Sequence, residues 1–381
     1  MRKRLMPLSL PLAVFAIFAL IVGLWAALLR LGWNLPWLQP GQALAHGPLM
    51  VCGFLGTLIS LERAVALGRR WSYLAPGYAA LGGVALIVGI PGPIAPALIL
   101  VGSLVLLVVF SVIVRRQLAM FTLTMAAGAA AWTVGNALWL AGVPIPELVY
   151  WWMGFLVLTI VGERLELSRF LPPAPHSRSL FTAAVALYVA GLIGSSLAPA
   201  YGDVLLGAGM VAMATWLARF DIARFTIQQP GLPRFAALCL LGGYVWLVTG
   251  GVLITLAGHW PTEALLSYDA ILHAVFLGFV FSMIFAHAPI IFPALTGLRM
   301  RYRRLFYSHL LLLELSLVWR IAGDCAGSFT AYRWGGLLNV AAVLLFLANT
   351  AFVLLLGLRE RRRTERLERQ PIIPAVADQG S

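Results

Sequence analysis

The 381-residue sequence predicts an all-α fold, a polytopic membrane bundle of about twelve transmembrane helices. Three observations carry that prediction. Hydrophobic residues make up 61% of the chain and charged residues 11%, with a mean hydropathy of +0.92, which no water-soluble domain approaches. Apolar runs of about 20 residues, the length a helix needs to cross a bilayer, recur along almost the whole chain. The connections between them are short and leave no room for a separate soluble domain.

Breaks at Pro, Gly and Arg clusters divide the chain into spans at 5–31, 42–67, 73–91, 93–115, 119–141, 146–168, 178–198, 202–219, 234–258, 265–290, 304–325 and 331–358. The first begins MRKRL like a signal peptide, and an A-x-A occurs at Ala43–Ala45. Its apolar stretch of about 25 residues is too long for a signal-peptide core, so it reads as the first transmembrane helix. A cytoplasmic N-terminus puts the loops after even-numbered spans in the cytoplasm as well. Those loops and the two ends then hold all but three of the 27 basic residues, the exceptions being Arg30, Arg320 and Arg333. That asymmetry follows the positive-inside rule and places both termini in the cytoplasm. The net charge of +13 is therefore a matter of topology, with the lipid bilayer as partner and no nucleic acid. Residues 1–358 form the bundle; residues 359–381, with the run Arg361–Arg363, form a charged cytoplasmic tail expected to be disordered. Cys52, Cys239 and Cys325 lie far apart with no CxxC, so neither a zinc site nor a disulfide framework is indicated.

The dipeptide Gly-Phe occurs at Gly53-Phe54, Gly154-Phe155 and Gly278-Phe279, in spans 2, 6 and 10, each four helices after the last. The surroundings match: Ile59 and Glu62-Arg63 are echoed by Ile160 and Glu163-Arg164 at an offset of 101 residues. Span 10 supplies Ile284 and then His287 where the other two have Glu. This placement predicts three four-helix pseudo-repeats, an arrangement that usually sets the functional site where the repeats meet. The competing explanation is that Gly, Phe, Leu and Ile are simply common in membrane helices.

Ionisable groups inside membrane spans are costly and point to function. His273 and His287 sit on one predicted helix, about 21 Å apart along its axis and ~40° apart around it. His46 enters span 2 at a depth comparable to His273 in span 10, and both spans run in the same direction. Two neutral imidazoles at matched depth on neighbouring helices suit axial ligation of a haem iron. Gly47, Gly53, Gly56 and Gly278 would let a flat macrocycle or another helix approach closely. Asp269, one turn before His273, is placed to fix its tautomer. Met50 near His46 and Met283 near His287 offer thioether ligands for copper, although methionine in an apolar helix is mostly filler. Toward the basic ends of the spans, Glu62, Glu163, His309 and Glu314 make a candidate proton path. The plainer reading puts such residues, and Arg63, Arg164 and Glu166 with them, at the headgroup level. His176 and His259, flanked by Pro172, Pro173, Pro175 and Pro261, read as surface residues. Trp132 and Asn136, one turn apart in span 5, are placed to line a cavity or to bond a neighbouring helix.

The strings AHGPLMVCGFLGTLISLERAV (45–65) and LHAVFLGFVFSMIFAHAPIIFPALTG (272–297) resemble the NnrS family. That family comprises twelve-span bacterial inner-membrane proteins described as binding haem and copper and linked to nitric oxide stress. The resemblance implies metal or haem ligation by His46, His273 and His287, and a role in redox or nitric oxide response at the bacterial inner membrane. The span count and the histidines in spans 2 and 10 are similar, more distantly, to the haem–copper oxidase catalytic subunit. Spans 6 and 7 carry no histidine and span 10 has no His-x-His, so a binuclear oxygen-reducing centre is not expected. The alternative function is a proton-coupled transporter or channel with Glu62, Glu163, Glu314 and His287 between the repeats; a third is an assembly factor without chemistry of its own. Against transport, no span in the repeat set is broken by Pro at mid-depth.

Overall fold

The computed structural model describes residues 6–169, 171, 174–257, 264–296, 300 and 302–368; His259 and the tail 369–381 lie outside them. Among the described residues there is no strand, and the helices run in the order the hydropathy predicts. They are α1 Met6–Arg30, α2 Gln42–Leu67, α3 Arg70–Val88, α4 Ile94–Arg116, α5 Met120–Leu140, α6 Ile145–Ser168, α7 Ser177–Leu197 and α8 Pro199–Phe220. After a short turn at Ala223–Thr226 follow α9 Leu232–Ala257, α10 over 264–296, α11 Phe306–Cys325 and α12 Phe329–Glu368. Ten of these are long and apolar enough to cross a membrane, which makes the chain a multi-pass membrane protein. The other two match them in length, at 21 residues for α5 and 20 for α11, but are less apolar. Helix α5 is rich in Ala, Gly and Thr, and α11 carries Glu314, Arg320 and Asp324.

Glycine stops α2 and α3. Gly68 and Gly89 take left-handed φ of 67° and 77°, which a Cβ would disfavour, and their N–H groups close the last turns on Ala64 and Ala85.

The packing follows a period of four helices. In each set the first helix lies along the second and the third along the fourth. The fourth then meets the first helix of the next set: α4 against α5, α8 against α9, and α12 back against α1. The second helices are the most enclosed. Within the membrane-length window, 72% of α6 and of α10 and 61% of α2 is buried, against 28% of α7. Three inner helices thus stand within a closed outer ring whose Leu104, Val108, Leu180 and Ile193 side chains face outward, as a lipid-facing surface requires.

Two of the inner helices are not uniform. Leu49–Gly56 in α2 and Ala274–Phe281 in α10 are π-helical, eight residues each, and both hold the Gly-Phe dipeptide at the same place. The wider i→i+5 turn is rare and concentrates at functional sites. It also changes which face each residue presents, so the ~40° offset expected between His273 and His287 on an ideal helix does not apply to α10.

Of the four glycines expected to admit a macrocycle or another helix, three meet another helix. A Cβ on Gly56 would strike the Trp132 ring, one on Gly278 would strike Trp246, and Gly53 packs on Ala19 of α1. Gly47 alone of the four has open space around it. We expect Gly278→Ala to destabilise the detergent-purified protein by about 1–3 kcal/mol through overpacking, while Gly47→Ala leaves the thermal transition in place. Equal melting of the two variants would show that the Trp246 contact does not hold α10.

Candidate functional site

His46 ends the short 3₁₀ turn Gln42–Ala45 at the start of α2, and His273 closes the first α-helical stretch of α10. Each stands next to a π-helical stretch, three residues before it in α2 and directly before it in α10. Their rings face one cavity, with planes 8° apart and centroids 6.5 Å apart. That separation lies at the wide end of the range for paired rings. It is also close to the roughly 6 Å expected if the two imidazoles were to bond one metal ion from opposite sides at about 2.0–2.1 Å each.

Both rings are held by the same device. His46 Nδ1 lies 2.9 Å from the Gly23 carbonyl of α1, and His273 Nδ1 lies 2.9 Å from the Asp269 carbonyl and 3.1 Å from its carboxylate. An Nδ1–H donated to a carbonyl fixes the tautomer and leaves Nε2 as the free ring nitrogen. Asp269 is in turn gripped by Arg320 of α11, with Nε 3.1 Å and Nη2 2.9 Å from Oδ2. The Arg320 guanidinium also lies over the Tyr332 ring, 5.1 Å from its centroid.

The cavity, of about 120 Å³, is bounded by α1, α2, α6, α10, α11 and α12. Its walls are mostly aliphatic and aromatic, with Leu24, Val149, Trp152 and Phe276 among them, and its polar rim is Arg30, Tyr268, Asp269 and Arg320. Met50 and Gly47 also line it.

A second cavity, of about 90 Å³, lies toward the arginine-rich end and holds Glu62, Glu163, His287 and Met283. Here Arg63 hydrogen-bonds both Glu62, at 3.2 Å, and Glu163. Arg164 points the other way, into a two-pronged pair with Asp221 at 2.8 and 2.7 Å, with His287 Nε2 3.4 Å from its Nη1. The structure therefore brings His46 and His273 together and sets His287 apart from them. It likewise separates Met50 and Met283, one to each cavity.

Neither His309 nor Glu314 lines either cavity. His309 sits among the rings of Phe235, Phe285, Phe306 and Phe346, its Nδ1 3.1 Å from the Asn349 amide. Glu314 accepts hydrogen bonds from Trp246 Nε1 at 2.5 Å and Ser282 Oγ at 3.3 Å. The expected proton path therefore divides among three surroundings: Glu62 and Glu163 line the second cavity, His309 lies among aromatic rings, and Glu314 bonds Trp246 and Ser282. Trp132 and Asn136 also miss the cavities: Trp132 donates to Cys52, and Asn136 accepts from Trp152 at 2.9 Å, tying α2, α5 and α6 together. His176, with left-handed backbone, is exposed before α7.

The sequence reasoning missed Arg30, Arg320 and Asp221. It counted Arg320 as a topological charge, although an arginine that far inside α11 is itself a sign of a buried partner.

The model of the family described as a domain of unknown function, DUF8744, matches residues 9–355, nearly the whole bundle. The chain belongs to that family. No curated protein matches it. The match covers both cavities and all three inner helices, so the site described here lies wholly within the family's domain.

Removing Arg164 strands the buried Asp221 carboxylate. Arg164→Leu is expected to cost about 3–5 kcal/mol, and the double change Arg164→Leu with Asp221→Asn to recover most of it. Thermal unfolding of the three proteins in one detergent measures this; no recovery in the double variant would mean the loss is one of packing.

Proposed function

We propose that this protein is an NnrS-like membrane protein of the bacterial inner membrane that binds one haem between His46 and His273. The observation that carries the reading is the facing pair of parallel imidazoles, each with Nδ1 engaged and Nε2 free, across an apolar cavity. The rest of the cavity suits the group. Arg30 and Arg320 at its rim would meet the carboxylates at the edge of the macrocycle, and Gly47 leaves space beside His46. When bound, a haem would supply one-electron transfer, and His46 and His273 are the residues that would hold it. The chain's own residues do the positioning. Gly23 aims His46, Asp269 aims His273 and raises its basicity as a ligand, and Arg320 keeps the Asp269 carboxylate in place. The aliphatic walls exclude water and lower the local dielectric. This chemistry fits a redox or nitric oxide stress role. A copper ion is the second reading, favoured by Met50 in the same cavity as the two histidines.

Protein purified from haem-replete cells should show a Soret band with sharp six-coordinate features in the reduced form. His46→Ala and His273→Ala should each abolish or broaden it, while His176→Ala leaves it unchanged. Carbon monoxide should bind poorly; rapid binding would mean that only one histidine is a ligand. Protein carrying copper and no haem would shift the assignment to the second reading, and protein carrying neither would sink both.

All twelve helices cross the membrane in this reading, with both termini and the arginine-rich end in the cytoplasm. Reporter fusions at residues 70, 116, 230, 302 and the C-terminus should read as cytoplasmic, and those near 36, 92, 143, 200 and 329 as periplasmic. A periplasmic C-terminus would overturn the twelve-span count.

A further inference from the structure

The second cavity has a composition that chance packing does not produce. Aligned on the Gly-Phe dipeptides, twelve of its thirteen lining residues fall into four sets of equivalent positions on α2, α6 and α10. Glu62, Glu163 and His287 form the set nearest the arginine-rich end. Next come Ile59, Ile160 and Ile284, then Leu58, Thr159 and Met283, and deepest lie Leu55, Leu156 and Val280. A space bounded by the same positions of three helices lies on their common axis. Leu55 lines the outer cavity as well, so the two cavities meet end to end at that side chain.

We propose that this pseudo-threefold axis is a proton route leading from the arginine-rich face of the membrane to the His46–His273 cavity. The inference stands on the lining of the cavity and is independent of which cofactor the outer histidines hold.

The layers divide the work. The outermost set is a ring of two carboxylates and an imidazole, groups that take up and release protons and that favour cations over anions at a pore mouth. Exposure falls along the ring: the Glu62 side chain is 44% exposed, Glu163 24%, and Arg63 between them 11%. A proton arriving from water therefore meets Glu62 first and Glu163 behind it. The neighbouring charges are balanced so that neither acid is stranded. Arg63 bonds both carboxylates, and Arg164, which touches His287, is itself held by Asp221. Arg63 is one cation shared by two carboxyls, so the ring keeps a group able to take up a proton. No group of three His, Cys, Asp or Glu side chains among the described residues converges as a metal site would.

Behind the ring the walls are almost wholly aliphatic. A cavity of about 90 Å³ has room for several water molecules at the roughly 10–15 Å³ each requires, yet its walls offer them little to bond. Such a hydrophobic constriction conducts only while water files through it and closes by dewetting. A hydrated sodium or potassium ion would lose its shell against Ile and Leu with nothing in exchange, whereas a proton needs only a transient file of water. The transfer is a simple hop: a carboxylate oxygen takes the proton on the aqueous side and gives it to a water on the cavity side. Leu55, Leu156 and Val280 are the gate between that water and the outer cavity.

The test is proton flux into liposomes containing the full-length protein and a trapped pH-sensitive dye, under a potassium–valinomycin potential. Wild-type liposomes should acidify several-fold faster than empty ones. Glu163→Gln should bring the rate close to that of empty liposomes. Leu55→Ala, which disturbs no ion pair, should raise it several-fold above wild type. Each protein is first checked for a monodisperse profile and a cooperative thermal transition, and where wild type shows a Soret band Glu163→Gln should retain it. Should Glu163→Gln fail that check, the rise in Leu55→Ala decides alone. Wild-type and Leu55→Ala rates equal to empty liposomes overturn the route, as does an unchanged rate in well-folded Glu163→Gln. Potassium leakage without valinomycin overturns its restriction to protons. A Soret band without flux removes the route and leaves the haem reading standing; flux without a Soret band does the reverse.

Discussion

A charge inside a bilayer must find its partner inside the protein, because no water is there to solvate it. This requirement organises the molecule. Three ion pairs join the inner helices to other helices or loops. Arg164 of α6 meets Asp221 after α8, Arg63 of α2 meets Glu163 of α6, and Asp269 of α10 meets Arg320 of α11. Broken pairs of this kind cost several kcal/mol, so the pairs fix which helix stands beside which as firmly as the aliphatic packing does. With the polar groups turned inward, the outward faces of the ring can be aliphatic.

The histidine pair depends on the same constraint one level up. His273 is aimed by Asp269, and Asp269 stays charged and fixed because Arg320 grips it with two nitrogens. His46 relies instead on a backbone carbonyl of α1. One histidine is thus tied to the third set of helices through a chain of charges, and the other to the first set through the backbone. The flanking π-helical turns let two residues that are out of register in the repeat face each other across the axis.

Much of this was legible beforehand. Hydropathy marked most helix ends to within a few residues, because the cost of leaving backbone groups unpaired in lipid forces apolar runs into helices. The last helix differs, running ten residues past its expected end at 358 to Glu368, where charged residues carry the helix on. The shared depth of His46 and His273 could be read from their distance to the span ends, and the Gly-Phe register brought Glu62, Glu163 and His287 into one set. The differences in surroundings share a cause. Glu314 and His309 looked like neighbours of that set because all lie at similar depth, but depth is the only coordinate that hydropathy supplies. Rotation about the helix axis sends Glu314 to Trp246 and His309 into an aromatic cage. Asn136, read as cavity-lining or helix-bonding, took the second role for the same reason.

What the sequence by itself determined is therefore the one-dimensional part: which segments form long apolar helices, how far each polar residue lies from their ends, and that three segments share a pattern. Those follow from transfer free energies, which act residue by residue. The tertiary structure decided azimuth and adjacency: that the shared helices stand innermost, that two of them turn π-helical, that Arg320 serves His273, and that two cavities meet at Leu55. These follow from packing and charge pairing among helices distant in the chain. A single sequence carries no local signal for them, because each depends on which partner the rest of the bundle presents.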